Sequence, residues 1–131
     1  MTVYVETDFL VAIVKDADWL QGEAERALTE RDVRTSILAY LELLLVVDDY
    51  DIEYTTVAAN LLDIVPVDDD THRQIILKAG INHDVEGLTP FDAFHAATVS
   101  TWELPVLSSE QAYDRLDIER LPLEPLGDDD A

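Results

Sequence analysis

The sequence has 131 residues, no cysteine and 48% hydrophobic residues, which suits one domain with an apolar core and excludes disulfide and thiolate chemistry. Its 29 acidic residues outnumber the 8 lysines and arginines, and the formal net charge of −21 is unusual for a protein that binds nucleic acid. No apolar run reaches the ~20 residues of a membrane span and no secretory signal pattern opens the chain, so we expect a cytoplasmic protein with no membrane association.

The acidic residues are spread along the whole chain, while the apolar residues keep the periodicity of a folded core. Repulsion among so many like charges weakens a compact state in ordinary buffer, whereas molar salt shortens the Debye length to ~3 Å and screens it. This pattern favours the surface of a salt-adapted, haloarchaeal protein. The alternative is an acidic protein that works at ordinary salt concentration.

Strand-like and helix-like segments alternate along the chain. Strands are predicted at residues 3–5, 33–35, 64–67, 106–107 and 118–123. Helices are predicted at residues 8–15, 18–31, 36–47, 53–63, 70–79 and 89–102, with a helical turn at 109–114. The alternation predicts an α/β fold, a three-layer α/β/α domain with a mostly parallel central sheet. This domain is predicted to span residues 1–125, and residues 126–131 are predicted to be a disordered acidic tail.

Residues of the types that cap helices occur at the predicted helix starts and at one predicted helix end. Thr7 and Ser36 are expected to cap the first and third helices, because a hydroxyl can accept from an unpaired helix N–H. Asp68 or Asp70 is expected to cap the fifth helix, and Gly80 stands where that helix would end.

Two acidic residues follow predicted strands directly. Glu6 follows residues 3–5, and Glu110 follows residues 106–109. Ligands of open α/β sheets bind beyond the carboxyl ends of the strands, so both side chains could face one edge of the sheet. Each also has an ordinary structural explanation: Glu6 as a solvated strand end, and Glu110 as an acid favoured in the first turn of a helix.

Glu42 is surrounded by apolar residues at helical spacing. Leu38, Ala39, Leu45 and Val46 lie three or four positions away, which predicts that Glu42 leaves the helix from a buried face. A buried carboxylate needs a partner, and a metal pocket is one such partner. The alternatives are a core glutamate satisfied by hydrogen bonds, or one that reaches the protein edge.

Asp92 opens the sixth helix three residues after Thr89. This spacing resembles a capping box with Pro90 at the first helical position, and capping is one full explanation of the pair. A small-residue face, Ala93, Ala96, Ala97 and Ser100, follows and would let the helix pack closely. His95 is expected to be an ordinary histidine, and the three histidines lack the spacing of a zinc site.

Four segments together resemble the PIN domain family. The first, residues 3–10 (VYVETDFL), is similar to the opening strand and its Asp-Thr-Asn/Ser-x-Leu turn. The second, residues 36–42 (SILAYLE), resembles the helix that carries the second acidic residue. The third and fourth, residues 92–97 (DAFHAA) and 104–113 (LPVLSSEQAY), are similar to the Asp-Ala-x-x-Ala-Ala segment and to the strand with its Thr/Ser-x-Asp turn. Order and spacing agree across about residues 2–120.

The resemblance implies a catalytic, metal-binding set of Glu6, Glu42, Asp92 and Glu110. Glutamate stands at positions 6 and 110, where the family usually has aspartate, and metal sites are sensitive to a shift of this size. Asp8 is expected to supply a further carboxylate. Thr7 and Ser109 are weaker candidates for binding substrate, since helix capping also explains them.

The resemblance also implies an activity and partners. Clustered carboxylates suit Mg²⁺ or Mn²⁺, which would activate water and offset charge on a phosphodiester. The expected function is a metal-dependent endoribonuclease, the VapC-like toxin of a toxin–antitoxin pair, that leaves a 5′-phosphate and a 3′-hydroxyl. Its expected partners are RNA, a second copy of the chain in a homodimer, and a protein antitoxin that fills the active groove.

Two other functions stay open at this point. The first is a degenerate PIN module that binds RNA or protein without cutting, which the two glutamates for aspartate favour. The second is a receiver-like signalling domain, also α/β with acids at strand ends. That domain needs a lysine near the end of a late strand, and residues 106–111 contain none.

Overall fold

A computed structural model of the protein describes residues 2–15, 19–48, 50 and 52–125. Six α-helices lie within these residues: α1 (Thr7–Val14), α2 (Gln21–Glu30), α3 (Ile37–Val47), α4 (Tyr54–Ile64), α5 (Asp70–Asp84) and α6 (Pro90–Trp102). The strands are β1 (Thr2–Tyr4), β2 (Asp32–Arg34), β3 (Val106–Ser108) and β4 (Arg120–Pro122), and a 3₁₀ helix (Gln111–Arg115) precedes the last. The predicted α/β class is confirmed, and the predicted tail at 126–131 falls outside the described residues.

Both strand pairs within the described ranges are parallel, as predicted. β1 pairs with β2, with Val3 opposite Val33, and β3 pairs with β4, with Leu107 opposite Leu121. The segment predicted as a strand at 64–67 contributes one parallel bridge, from Val67 to Thr35. In the described part of the chain, the predicted central sheet is therefore present as two short two-stranded sheets, and helices supply the crossovers that parallel strands require.

The core lies where the helices meet, and α6 packs against α5 and α3. Two buried tyrosines tie the middle of the chain together. The Tyr54 hydroxyl donates to the Tyr40 carbonyl oxygen at 2.6 Å, and the Tyr40 hydroxyl donates to the Val65 carbonyl oxygen at 2.8 Å. These bonds satisfy hydroxyls that have left water, and burial raises the pKa of both phenols. Within the described residues, no helix has the length and apolar character to cross a membrane.

Two of the capping predictions are wrong by one position, and a third is right in position only. Thr7 is the first residue of α1, and Glu6 occupies the cap position. Ser36 occupies the cap position of α3 as predicted, but its hydroxyl pairs with the Tyr4 hydroxyl instead of a helix amide. The α5 cap is Asp69, whose carboxylate accepts from the Thr71 amide at 2.7 Å. Three consecutive aspartates offer similar carboxylates here, so only the backbone geometry selects one of them.

Gly80 does not end a helix, contrary to the sequence prediction, because α5 continues through it to Asp84. It is a point of close approach between α5 and α4. A Cβ at this position would lie 2.6 Å from Thr55 Oγ1 and 3.1 Å from Thr55 Cα. Thr55 cannot turn away cheaply, because its amide and hydroxyl both donate to Asp84 Oδ2, at 2.9 and 2.7 Å.

We expect Gly80→Ala to destabilise the protein by up to about 2 kcal/mol, because an overpacking cost of about 1–3 kcal/mol at Thr55 outweighs the ~1 kcal/mol gained in helix propensity. Gly22 in α2 has no atom within 4 Å of an added Cβ, so Gly22→Ala should stabilise by up to about 1 kcal/mol. Urea unfolding in molar KCl measures both free energies of unfolding. A stabilising Gly80→Ala would show that α4 and α5 have room to separate.

Candidate active site

Thr35 fixes the chain between β1 and α1 through a hydrogen bond. The Val5 amide donates to the Arg34 carbonyl oxygen at 2.9 Å, and the Thr35 hydroxyl donates to the Val5 carbonyl oxygen at 2.7 Å. Thr35 is the buried polar residue of the described chain, with 4% of its surface exposed. These bonds fix the position from which Glu6 departs, and no pattern in the sequence signalled this role for Thr35.

The first acidic residues lie at the start of α1. Glu6 is exposed at the cap position with no side-chain capping bond, and Asp8 is exposed in the first turn. The Thr7 hydroxyl points to the Ala39 carbonyl oxygen at 3.5 Å, which brings this turn against α3. Asp8, Thr7 and Glu42 accordingly line one open groove of about 550 Å³.

The prediction that Glu42 leaves α3 from a buried face is wrong. Glu42 is exposed, and three of its four apolar neighbours are also exposed: Leu38 by 61%, Leu45 by 40% and Val46 by 46%. Ala39 alone of that set is buried. The carboxylate therefore needs no partner for its own stability, and its place in the site rests on its position beside Asp8.

Asp92 is half-buried in the first turn of α6, which begins with Pro90 as predicted. Thr89 holds the helix cap position, and its hydroxyl donates to Asp92 Oδ2 at 2.9 Å. The bond differs from a capping box, in which the hydroxyl would accept from the Asp92 amide. It orients the carboxylate and leaves Oδ1 for another partner.

Glu110 caps the 3₁₀ helix. Its Oε1 accepts from the Ala112 amide at 3.1 Å, and its own amide donates to the Ser108 hydroxyl at 3.0 Å. The two bonds form a tight turn after β3, and Glu110 occupies the cap position of the 3₁₀ helix, one residue before its first turn. Ser109 lies between them and is exposed.

Tyr113 links the last two acidic residues. Only 3% of its surface is exposed, and burial raises the pKa of its phenol, with the negative charges of Asp92 and Glu110 adding to the increase. Both carboxylates therefore act on the same hydroxyl group, which stays protonated at neutral pH. Tyr113 was not among the predicted residues, although its place three residues after Glu110 matches the period of a 3₁₀ helix.

Arg120 holds the turn that carries Glu110. Its guanidinium donates to the Ser108 carbonyl oxygen at 2.8 Å, to Asp114 at 2.8 Å and to Glu124 at 2.9 Å. The side chain is 11% exposed, and these three partners satisfy donors that have little contact with water. The residues before and after Glu110 are thus fixed by a single cation from β4.

Of the five predicted metal-binding residues, Asp8 and Glu42 line the same groove, Asp92 and Glu110 both influence Tyr113, and Glu6 does not line that groove. Their carboxylate oxygens are the donors that Mg²⁺ and Mn²⁺ prefer, so the donor set fits such an ion in kind. Among the residues that the structure describes, however, no three or more acidic or histidine side chains are grouped so that they could hold a metal ion. The fit is therefore chemical, and the side chains would have to draw together around an ion.

Comparison with known proteins agrees with the sequence resemblance. The model of the PIN domain family matches residues 3–119, which include all of the predicted acidic residues. No curated protein and no solved structure matches the chain.

Proposed function

Because the chain belongs to the PIN domain family, whose members are generally nucleases, we propose that it is a metal-dependent endoribonuclease. The match over residues 3–119 carries this proposal, since it includes the four acidic positions at 6, 42, 92 and 110. The receiver-like alternative has no further support. RNA is the proposed substrate, and cleavage would leave a 5′-phosphate and a 3′-hydroxyl.

In this proposal Glu6, Glu42 and Asp92 would hold a Mg²⁺ or Mn²⁺ ion, and Glu110 with Asp8 would complete the pocket. The ion would supply the positive charge that offsets negative charge on the scissile phosphate. Thr89 orients the Asp92 carboxylate through its 2.9 Å hydrogen bond, so that one oxygen stays directed and available. Burial and the charges of Asp92 and Glu110 keep the Tyr113 phenol protonated, because together they raise its pKa.

The experiment is cleavage of single-stranded RNA in molar KCl, with Mg²⁺, with Mn²⁺ or with EDTA. We expect cleavage with either ion and loss of cleavage in EDTA, which returns when the ion is added in excess. Isothermal titration of Mn²⁺ into the protein, without RNA, tests whether the separated acids can bind an ion at all. Cleavage that persists unchanged in EDTA would contradict the metal requirement.

A second candidate function is a PIN module that binds without cutting. It is favoured by the absence, in the described residues, of a group of three acids and by the use of the Glu110 carboxylate as a helix cap. It predicts RNA binding with no Mn²⁺ uptake and no cleavage under any of these conditions.

The toxin role and its partners belong to the same proposal. The groove that Asp8 and Glu42 line also contains Val11 and Trp19, and Trp19 is 85% exposed. An apolar segment of a protein antitoxin would cover such a groove and exclude RNA from the acids. A homodimer is proposed as well, and sedimentation in molar salt would contradict it by showing a monomer at all concentrations.

A further inference from the structure

A second cavity lies between α3 and α6, the helices that also carry Glu42 and Asp92. It has a volume of about 170 Å³ and is open on one side. Phe94, with 6% exposed, forms part of its floor, and Leu38, Phe91 and His95 are exposed around its mouth. A cavity of about 150 Å³ is large enough to take a benzene ring, so a flat aromatic group fits the space.

The position of this cavity follows from the helices that bear the acids. Phe91 directly precedes Asp92, and His95 lies one turn further along α6 on the same side as Phe91. On α3, Leu38 lies one turn before Glu42. A group held in the cavity would therefore stand within a nucleotide's reach of two acidic residues.

The charge of the protein decides which part of an RNA chain can be held here. Among the described residues, no lysine or arginine lines this cavity. In the part of the chain that the structure describes, several basic residues are already paired with carboxylates, among them Arg26, Arg34, Arg73 and Arg120. Phosphate contacts also weaken steeply in high salt, whereas stacking and apolar burial persist.

We propose that the α3–α6 cavity binds one unstacked base of single-stranded RNA, beside the phosphodiester that the acidic residues act on. Phe91 and His95 supply the faces for stacking, and Leu38 closes the edge. This proposal rests on the proposed ribonuclease function, and it explains how an acidic protein binds RNA through a base instead of through phosphates. It favours single-stranded RNA, because a paired base enters the cavity only after unpairing and unstacking, which cost about a few kcal/mol.

The test is equilibrium binding of a short, dye-labelled single-stranded RNA in molar KCl with EDTA, so that no cleavage occurs. Phe91→Ala should weaken binding about ten-fold, the value of one lost stacking contact, and Phe91→Trp should restore it. The matched control is Trp102→Ala, which removes an aromatic side chain of similar exposure, 55% against 54%, from the other end of the same helix. The RNA affinity of Trp102→Ala should stay within about two-fold of that of wild type.

An abasic oligonucleotide separates base contacts from phosphate contacts, because it keeps every phosphate and lacks the bases. Wild type should lose affinity for the abasic oligonucleotide, and Phe91→Ala should lose little more, since both changes delete the same contact. Equal affinity of Phe91→Ala and Trp102→Ala would overturn the base site. A Phe91→Ala variant that changes the oligomeric state but not RNA affinity would also overturn it, and would assign the cavity to a protein interface.

The failures of the two proposals can be told apart. If wild type cuts RNA with Mg²⁺ or Mn²⁺ while Phe91→Ala binds and cuts equally well, the base site fails and the ribonuclease stands. If Phe91→Ala weakens binding but wild type never cuts, the base site stands and the ribonuclease fails.

Discussion

Replacing Asp92 by asparagine is expected to slow RNA cleavage by about 100-fold or more, the size of effect seen when one preorganised charged partner of a transition state is lost. Asparagine has the same shape and its amide oxygen can still accept from the Thr89 hydroxyl, so the helix start should remain intact. What the variant loses is the negative charge that would help to hold the proposed ion. Cleavage rates with Mg²⁺ or Mn²⁺ in molar KCl measure the effect.

The matched control for this prediction is Asp70→Asn. Asp70 also lies in the first turn of a helix, α5, so it loses the same interaction with a helix N-terminus, but it belongs to no proposed site. Its cleavage rate should equal that of wild type. Equal cleavage rates for Asp92→Asn and wild type would show that Asp92 is not part of the active site. Induced expression of Asp92→Asn and of Asp70→Asn in cells then tests whether growth arrest depends on Asp92 in the same way.

Transfer from molar KCl to about 0.1 M KCl is expected to lower the melting temperature by roughly 10–20 °C. The net charge is −21, and none of the described aspartates and glutamates is buried. Their mutual repulsion therefore acts across the surface, where salt screens it, and the Debye length grows from about 3 Å to about 10 Å on dilution. Melting followed by circular dichroism across a KCl series measures the change.

Sucrose is the control for the salt effect, because it strengthens apolar burial by exclusion from the surface without screening charge. Low-salt protein in concentrated sucrose should recover less of the lost stability than protein returned to molar KCl. If sucrose and KCl were equally effective, repulsion among the acids would not limit stability, and the protein would be acidic without being salt-adapted.

The sequence predicted the helices well because their apolar periodicity and their breaks are local properties. It failed at Glu42 for a physical reason. Helix α3 is apolar nearly all round, with Glu42 its sole charged residue, so the neighbours of Glu42 did not reveal which side faces the core. The buried stripe runs along another side, through Tyr40, Leu43 and Leu44. The choice of side depends on α5 and α6, which are distant in sequence.

Other differences also have causes outside the local pattern. Gly80 resembles a helix end in sequence, but in the folded protein its missing side chain leaves room for Thr55 of α4, and only tertiary contact shows this. The negative charges of Asp92, in α6, and of Glu110 both add to the raised pKa of the Tyr113 phenol in the 3₁₀ helix. The family resemblance predicts both acids as site residues, whereas the effect on Tyr113 depends on tertiary structure.

The bonds of Arg120 have a consequence for how the protein would respond to heat. β3 and β4 have three residues each, and a pair of strands this short opens more readily than packed helices do. When the pair opens, Arg120 releases the Ser108 carbonyl, and the turn that carries Glu110 loses its support while α1 to α6 remain packed. A local fluctuation at the C-terminal strand would thus switch the acidic turn between ordered and disordered states well below the temperature of global unfolding.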